Sequence, residues 1–379
     1  MVLNMSNKGF FFTVMSLIMV STVLLILVPP SHEAIVAMER SEKVGLRYGN
    51  DFYHSLEYSI LPSFIKVAAY SALKNITGSY PMHIASGNDF NTTFNETFWK
   101  SSPSIPGLGN PYNMSYLLEE LEKAFDEASP DLYELRLEKD YDDVEIKIFQ
   151  NNDTGPYQVG VNVSMRATLN TTFALWNRTL DIIAYIPIIG LEDPVYYNFT
   201  DGQYRNYFEY SPLDIGKNLS NTTSQEDLAN RFNSVQIECF LKKSWNPTCF
   251  KDHLNRSAYF KNTKAPSFLQ RMELDITGRS ECCGIESFLN PNSSFPGGIN
   301  MSKIEYGFEG DDGYDKNMTY VDHCFFSGKC VGLEGDNTDR MQNITSLECL
   351  NDTFPYFKVD LIRLDYYNLS VAVQGPCEE

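Results

Sequence analysis

The amino-terminal part of the chain contains one long apolar segment. Residues 10–28, FFFTVMSLIMVSTVLLILV, carry no charge, and a helix of that length spans roughly 30 Å, the hydrocarbon thickness of a bilayer. Lys8 before the segment and Glu33 after it favour a cytoplasmic amino terminus and an extracellular remainder. We therefore predict an uncleaved transmembrane anchor. The alternative is a removed secretory signal, for which Ala34 and Ala37 leave a cleavage site possible.

A helical pattern follows the apolar segment. Pro29-Pro30 is expected to break or kink the helix that leaves the membrane, and Pro62 is expected to begin a second helical segment. Residues 31–74 are therefore predicted to form a helical stem. Its apolar positions recur at roughly helical intervals, at Ile35, Met38, Val44, Leu46, Phe52, Leu56, Ile60, Ile65, Ala68, Ala69 and Ala72.

The next region changes from loop to helix. Residues 78–113 are rich in Ser, Pro, Gly and Asn, which predicts a long loop. The stretch YLLEELEKAFDEA, residues 116–128, then places its apolar residues on one helical face, and Pro130 stops the helix.

Strict alternation after residue 140 predicts an antiparallel β-meander. In YQVGVNVSMRAT, residues 157–168, apolar and polar positions alternate, so Asn162 is expected on the solvent-facing side. Residues 144–148 supply the preceding strand, NNDTG (151–155) the turn between them, and residues 171–189 continue the sheet. GLEDP, residues 190–194, closes it as a turn.

Beyond residue 201 the pattern becomes irregular and Cys-containing. FLQRMEL (268–274) predicts a short helix, whereas YVDHCFF (320–326) and FKVDLIRL (357–364) predict strands. The predicted fold is thus α+β, with a transmembrane helix, a helical stem, a meander domain and a disulfide-braced part. The predicted divisions are a leader at 1–9, an anchor at 10–28, a stem at 31–74, an ectodomain at 75–200 and a Cys-rich part at 201–379.

Asn-x-Ser/Thr acceptors are far more frequent than chance allows. Random order in a chain of this composition would place roughly four. An enrichment on this scale predicts a translocated, glycosylated chain, whereas for any single acceptor an unused motif remains the alternative. Asn4 precedes the anchor and is expected to be cytoplasmic. The others are Asn75, Asn91, Asn95, Asn113, Asn152, Asn162, Asn170, Asn177, Asn198, Asn218, Asn221, Asn255, Asn292, Asn300, Asn317, Asn343, Asn351 and Asn368.

Cysteine usage agrees with an extracellular location. All eight cysteines follow the anchor, and an even number in such a chain predicts disulfides. Their pairing is not determined by the sequence, although a bond between the adjacent Cys282 and Cys283 is expected to be strained, which favours different partners. A zinc site is disfavoured because no Cys-x-x-Cys occurs and the histidines lack ligand spacing. The cysteines are Cys239, Cys249, Cys282, Cys283, Cys324, Cys330, Cys349 and Cys377.

Charge excludes one class of partner. The formal net charge of −19 argues against nucleic-acid binding, which requires a basic surface. The lipid bilayer, reached through residues 10–28, is the partner that the sequence predicts.

No residue pattern indicates catalysis. The nucleophile-turn, zinc-helix, phosphate-loop and dinucleotide motifs are absent, so we expect no catalytic residue, metal or cofactor. The acidic stretches 309–315 and 334–339 suit solvated turns better than calcium sites. Glu192 and Asp193 suit a turn better than a pair for glycoside chemistry. Trp99, Trp176 and Trp245 suit core packing better than a sugar platform.

The amino terminus resembles a known signal. Lys8-Gly9 directly before Phe10 and an apolar helix resembles the class III signal peptide of archaeal type IV pilins and archaellins, which implies cleavage between Gly9 and Phe10. GLEDP, APSFLQRME (265–273) and GIESFLN (284–290) look like segments of large archaeal surface proteins with such amino termini. Pro29-Pro30, Val14 in place of a common glutamate, and the large ectodomain depart from an ordinary pilin.

Three functions follow, in decreasing order of support. The first is a structural or adhesive archaeal surface glycoprotein, a minor or tip pilin-like subunit that contacts like subunits. The second is a stand-alone surface receptor or lectin-like binder, suggested by the large disulfide-braced ectodomain. The third is an ectoenzyme, which only the acidic stretches suggest, so the chain is predicted not to be an enzyme.

Overall fold

A computed structural model describes a little over half of the chain. It covers residues 38–79, 89–100, 107–128, 133–171, 174–200, 204–211, 256–263, 265–289, 320–327, 344–346 and 358–360, together with Met19, Pro103 and Gly202. The predicted leader, the anchor apart from Met19, and most of the predicted Cys-rich part lie outside these residues. Within them, every helix is too short or too polar to be a candidate for crossing a membrane.

The described residues combine helices with antiparallel sheets, so the predicted α+β class is confirmed. They form two compact units that alternate along the chain. The first unit comprises residues 1–72, 91–148 and 160–186, and the second comprises residues 73–90, 149–159 and 187–379.

The helical stem is present from Met38 onward. Helix α1 spans Met38–Ser55, a π-helical turn spans Leu56–Ile60, and helix α2 spans Leu61–Gly78. A second helical segment begins near Pro62, as predicted, but a widened π-helical turn joins it to the first. Pro62 has no N–H and its ring would clash with the carbonyl four residues earlier. The π turn widens the backbone there, with Leu61 donating its N–H to Leu56 O.

Helix α3, Phe90–Trp99, lies where the sequence predicts a loop. That prediction was wrong because the many Asn and Thr residues conceal an apolar stripe one turn apart. Phe90, Phe94 and Phe98 are all buried, and the rings of Phe94 and Phe98 stack with centroids 5.6 Å apart. Burial of three aromatic side chains outweighs the weak helix propensity of the residues between them.

Helix α4, Met114–Ala128, confirms the predicted amphipathic helix. Its buried face includes Leu117, Leu121 and Phe125, and Phe125 packs on Phe52 of α1 at 4.8 Å between ring centroids. Glu122 is also buried and accepts hydrogen bonds from Leu137 N and Lys139 Nζ, both at 2.5 Å. This carboxylate therefore connects α4 to the sheet.

A four-stranded sheet completes the first unit. Its strands are β1 (Tyr133–Leu137), β2 (Glu145–Phe149), β3 (Gln158–Thr171) and β4 (Leu175–Pro187). The central strand β3 pairs with each of the others, antiparallel to β1 with Leu135 opposite Leu169. The three strands predicted between residues 144 and 189 are found, and β1 is an additional strand.

The alternation predicted for β3 is also found. Val159, Val161, Val163 and Met165 are buried, whereas Arg166 is exposed. Asn162 lies on the opposite face from the valines, as predicted, and is half-buried.

The described part of the second unit contains short elements joined by turns. The NNDTG turn is present, with Gly155 at φ +64 and its N–H donated to Asn151 O. GLEDP also forms a turn, with Gly190 at φ +84, and leads into helix α5, Pro194–Phe199. The remaining described elements are β5 (Phe260–Lys261), α6 (Phe268–Met272), β6 (Ile285–Glu286), β7 (Phe288–Leu289), β8 (Tyr320–Val321), α7 (Asp322–Ser327), β9 (Ile344–Ser346) and β10 (Lys358–Asp360).

Two predictions for this unit have different outcomes. The short helix at 268–274 is confirmed, and a capping box of Ser267 and Gln270 begins it. The strand at 320–326 was wrong beyond its first two residues, because a helix begins at Asp322, where an acidic residue in the first turn favours helix formation. Of the strand at 357–364, residues 358–360 are described and extended.

Candidate functional site

The glycosylation acceptors differ widely in exposure. Nine of those predicted lie among the described residues, and four of these are exposed, on three different elements and one turn: Asn91, Asn152, Asn170 and Asn177. Asn75, Asn95, Asn162 and Asn198 are half-buried. The other predicted acceptors, from Asn218 onward, and Asn4 lie outside the described residues.

Among the acceptors that the structure describes, Asn113 has the least room for a glycan. It is 2% exposed and caps α4, where its Oδ1 accepts the N–H of Tyr116 at 2.9 Å. Its Nδ2, the atom that a glycan would modify, donates to Asn110 O at 2.8 Å. The motif Asn-Met-Ser therefore serves helix capping at this position.

The cysteine prediction was wrong at one position. Cys282 and Cys283 are joined to each other by a disulfide, whereas we expected each to reach a different partner. Cys283 is buried, and its Sγ lies 3.1 Å from Asn151 O in the NNDTG turn. Of the other cysteines only Cys324 lies among the described residues, in α7.

Four separate segments of the second unit converge on one buried arginine. GLEDP contributes Asp193, APSFLQRME contributes Arg271, and GIESFLN contributes the Ile285 carbonyl. YVDHCFF contributes Asp322. These segments are far apart along the chain, and the sequence did not indicate that they meet.

Arg271 is enclosed by carboxylates and backbone. Its side chain is 0% exposed; Nη1 donates to Asp193 Oδ2 at 2.7 Å, and Nη2 donates to Asp322 Oδ2 at 2.8 Å. Nη2 also donates to Ile285 O at 2.9 Å. Tyr259 Oη donates to Asp193 Oδ2 at 2.6 Å. We refer to Arg271, Asp193, Asp322 and Tyr259 as the Arg271 cluster.

The electrostatics of the Arg271 cluster are those of a closed structural site. Burial opposes the charge of Arg271, but Asp322 and Asp193 outweigh it and raise its pKa. Burial raises the pKa of Tyr259 and of Tyr196 well above the ordinary value, so both phenols stay neutral. Because Arg271, Asp193 and Asp322 are fully buried, they cannot meet a substrate. The cluster holds segments together.

A second buried polar group lies nearby in the same unit. His323 Nε2 is 3.1 Å from Glu286 Oε2, and Asn262 Nδ2 donates to the same oxygen at 2.9 Å. His323 was expected to be an ordinary strand residue, but it belongs to a helix and pairs with a carboxylate. Within the described part of the chain, no group of three possible metal-ligating side chains occurs.

An open cleft lies in the first unit, between the middle of the stem, where α1 meets the π turn, and the start of β4. It encloses about 420 Å³. The stem contributes Asn50, Tyr53, His54, Glu57 and Tyr58, and β4 contributes Trp176, Asn177 and Arg178. We refer to these residues as the Trp176 cleft.

The polar groups of the Trp176 cleft are held in place. Arg178 Nη2 donates to Glu57 Oε2, and its guanidinium carbon lies 4.9 Å from the centre of the Tyr53 ring. Tyr53 Oη donates to Ala167 O at 3.0 Å, and burial raises the Tyr53 pKa despite the opposing effect of Arg178. The cleft therefore presents fixed donors and acceptors next to aromatic faces.

Gly49 positions Trp176. A Cβ on Gly49 would overlap the six-membered ring of Trp176, so glycine lets the indole approach the α1 backbone. The sequence indicated Trp176 only as one of three scattered tryptophans. Trp99, by contrast, is buried as expected, and its Nε1 donates to Lys139 O at 3.0 Å.

The remaining sequence candidates have plain outcomes. Asp193 forms the start of α5, and Glu192 pairs with Arg205 at 2.8 Å, so these two side chains serve different partners, as the turn interpretation implies. The acidic stretches at 309–315 and 334–339, and Trp245, lie outside the described residues.

Comparisons with known proteins return no relatives. No family model matches the chain, and no curated protein or solved structure matches it.

Proposed function

We propose that the chain is an N-glycosylated, single-pass membrane protein of the archaeal cell surface with a structural or adhesive role. The observation that carries the proposal is the density of glycosylation acceptors after an apolar segment. The placement of Asn91, Asn152, Asn170 and Asn177 on exposed surface supports it, because a transferred glycan needs room at the modified amide.

The pilin-like amino terminus suggests the kind of surface protein. In this proposal residues 10–28 lie in the bilayer or among the same helices of like subunits, and the chain acts as a minor or tip subunit. The stem is the expected contact surface, since no acceptor lies in residues 33–74. Leu46 and Tyr48 on α1 are exposed apolar side chains in this window, which supports a packing role.

Mass spectrometry of the native protein tests the proposal. We expect an amino terminus at Phe10 or upstream of it, glycans on the exposed acceptors and few free thiols. An intact chain recovered from the soluble cell interior, without glycans and with reduced cysteines, would overturn it.

A stand-alone lectin-like binder is the second candidate. The Trp176 cleft favours it, because fixed polar groups beside aromatic faces are typical of small-molecule sites. Native size distinguishes the two candidates: assemblies of like subunits support the first, and isolated single copies support the second.

A further inference from the structure

The Trp176 cleft exposes aromatic surface that folding leaves unused. Tyr58 is 66% exposed, and its ring lies 4.4 Å from that of His54, between centroids. Trp176 is half-buried, with its ring fixed against Gly49. Large apolar side chains held rigidly at a surface favour binding, since little conformational entropy is lost when a ligand covers them.

The charges of the cleft balance one another. Glu57 and Arg178 form an ion pair, and the same arginine lies over the Tyr53 ring. A ligand with a full charge would have to compete with this pair. The chain's net charge of −19 further disfavours an anion. The cleft therefore suits a neutral ligand with many hydroxyl groups.

The size and the backbone of the cleft agree with a small-molecule site. Its volume of about 420 Å³ lies within the range of ligand pockets. Glu57 and Tyr58 belong to the π-helical turn Leu56–Ile60, and such turns occur frequently at functional sites.

We propose that the Trp176 cleft binds a neutral saccharide, with an apolar ring face on Trp176 or Tyr58. Asn50, His54 and the Glu57–Arg178 pair supply hydrogen bonds to its hydroxyl groups. A pyranose ring combines an apolar face with a polar rim, and the cleft combines the complementary surfaces. This inference deepens the proposed surface role, on which it rests only for the glycan at Asn177.

The saccharide has two candidate sources, and a glycan attached to Asn177 is one of them. This exposed acceptor lines the cleft, so its own glycan lies within reach of the aromatic side chains. A glycan carried by another molecule is the other source. Both have the same chemistry, and the Asn177→Gln variant separates them because it removes the attached glycan and keeps an amide side chain at the cleft.

Calorimetric titration of the full-length chain in detergent tests the proposal. The neutral probes are methyl α-glucoside, methyl α-mannoside, methyl β-galactoside and N-acetylglucosamine, and glucuronate is the charged comparison. We expect at least one neutral probe to bind the wild type or the Asn177→Gln variant, and to bind more tightly than glucuronate. Binding to the variant alone identifies the chain's own glycan as the occupant.

Two substitutions locate the binding. Trp176→Ala is expected to weaken it about tenfold or more, and Tyr58→Ala about threefold to tenfold, through lost apolar contact. Tyr58 is exposed, so its variant remains informative if Trp176→Ala does not fold. Tyr116→Ser is the control: Tyr116 is an exposed aromatic of the same unit outside the cleft, and its replacement should leave binding unchanged.

The outcomes that overturn the proposal are specific. They are no binding of any neutral probe to the wild type or to Asn177→Gln, equal losses in Tyr116→Ser and Tyr58→Ala, or tighter binding of glucuronate. None of these outcomes tests whether the chain is extracellular, since the mature amino terminus and the glycan occupancy are measured separately. A cytoplasmic location would in turn remove the surface role without affecting these titrations.

Discussion

The Arg271 cluster and the Trp176 cleft each contain an arginine paired with a carboxylate, but the surroundings of the two arginines differ. Arg271 has two carboxylates and a backbone carbonyl, and no solvent reaches it. Arg178 has one carboxylate, and its side chain is about half exposed. Burial raises the cost of breaking the first pair, whereas solvent screens the second. The first pair holds a fold together, and the second leaves its neighbours available to a ligand.

The largest difference between the two ion pairs is expected when each arginine is replaced by methionine. Arg271→Met leaves Asp193 and Asp322 buried without a cation, so we expect a loss of about 3–5 kcal/mol of unfolding free energy. Arg178→Met is the matched control and should cost less than about 1 kcal/mol. Urea unfolding of the full-length chain measures both. Equal costs would show that the two pairs do not differ as described.

Two glycines provide the next test. A Cβ on Gly284 would overlap the backbone oxygens of Asn262 and Ala265, which cannot move aside independently. Gly284→Ala should therefore cost about 2–3 kcal/mol. The nearest atoms to a Cβ on Gly49 belong to the Trp176 side chain, and alanine gains up to about 1 kcal/mol of helix propensity.

Gly49→Ala should accordingly change unfolding free energy by less than about 1 kcal/mol while it displaces Trp176. Tryptophan fluorescence should shift in this variant more than in Gly284→Ala. A large stability loss at Gly49 with unchanged fluorescence would contradict the assigned packing.

Alkaline pH should affect the buried tyrosines of the second unit. Burial raises the folded-state pKa of Tyr259 and Tyr196 above the unfolded value of 10.0. The stabilisation that each neutral phenol contributes to the unfolding free energy is therefore complete below pH 10. It is lost as the pH rises above that value, by up to about 1.4 kcal/mol per pH unit for each group. Tyr196→Phe should make the decline of unfolding free energy above pH 10 less steep. An unchanged slope would place Tyr196 in solvent.

The smallest effects are expected at the acceptors. Asn113→Ala removes a helix cap and should cost about 1 kcal/mol without changing glycan mass. Asn152→Gln should remove one glycan and change unfolding free energy by less than about 0.5 kcal/mol. Intact-mass spectrometry and urea unfolding measure the two properties. A glycan found on Asn113 would contradict its capping role in the mature protein.

The local sequence pattern predicted the elements in which apolar and polar residues alternate with a regular period. The alternation in β3 and the apolar stripe of α4 each repeat for several periods, and both were found. Helix α3 was missed because its Asn and Thr residues resemble a loop. The strand expected at 320–326 was mostly a helix that begins at Asp322, the residue whose carboxylate also pairs with Arg271.

Neither the Arg271 cluster nor the Trp176 cleft was predicted as a site. Asp193, Arg271 and Asp322 are far apart in sequence and carry no motif, so only packing brings them to one point. Trp176 was recognised as an aromatic residue, but nothing in its local pattern indicates that Gly49 lies against it.

The sequence by itself determined the features that do not depend on tertiary contacts. These are an apolar segment, an acidic net charge, an excess of glycosylation acceptors and the periodic elements. Tertiary structure decided which acceptor is exposed and which caps a helix, which arginine is enclosed and which is open, and that Cys282 bonds to Cys283. Composition and period are properties of the chain alone, whereas exposure and ion pairing depend on residues that only folding brings together.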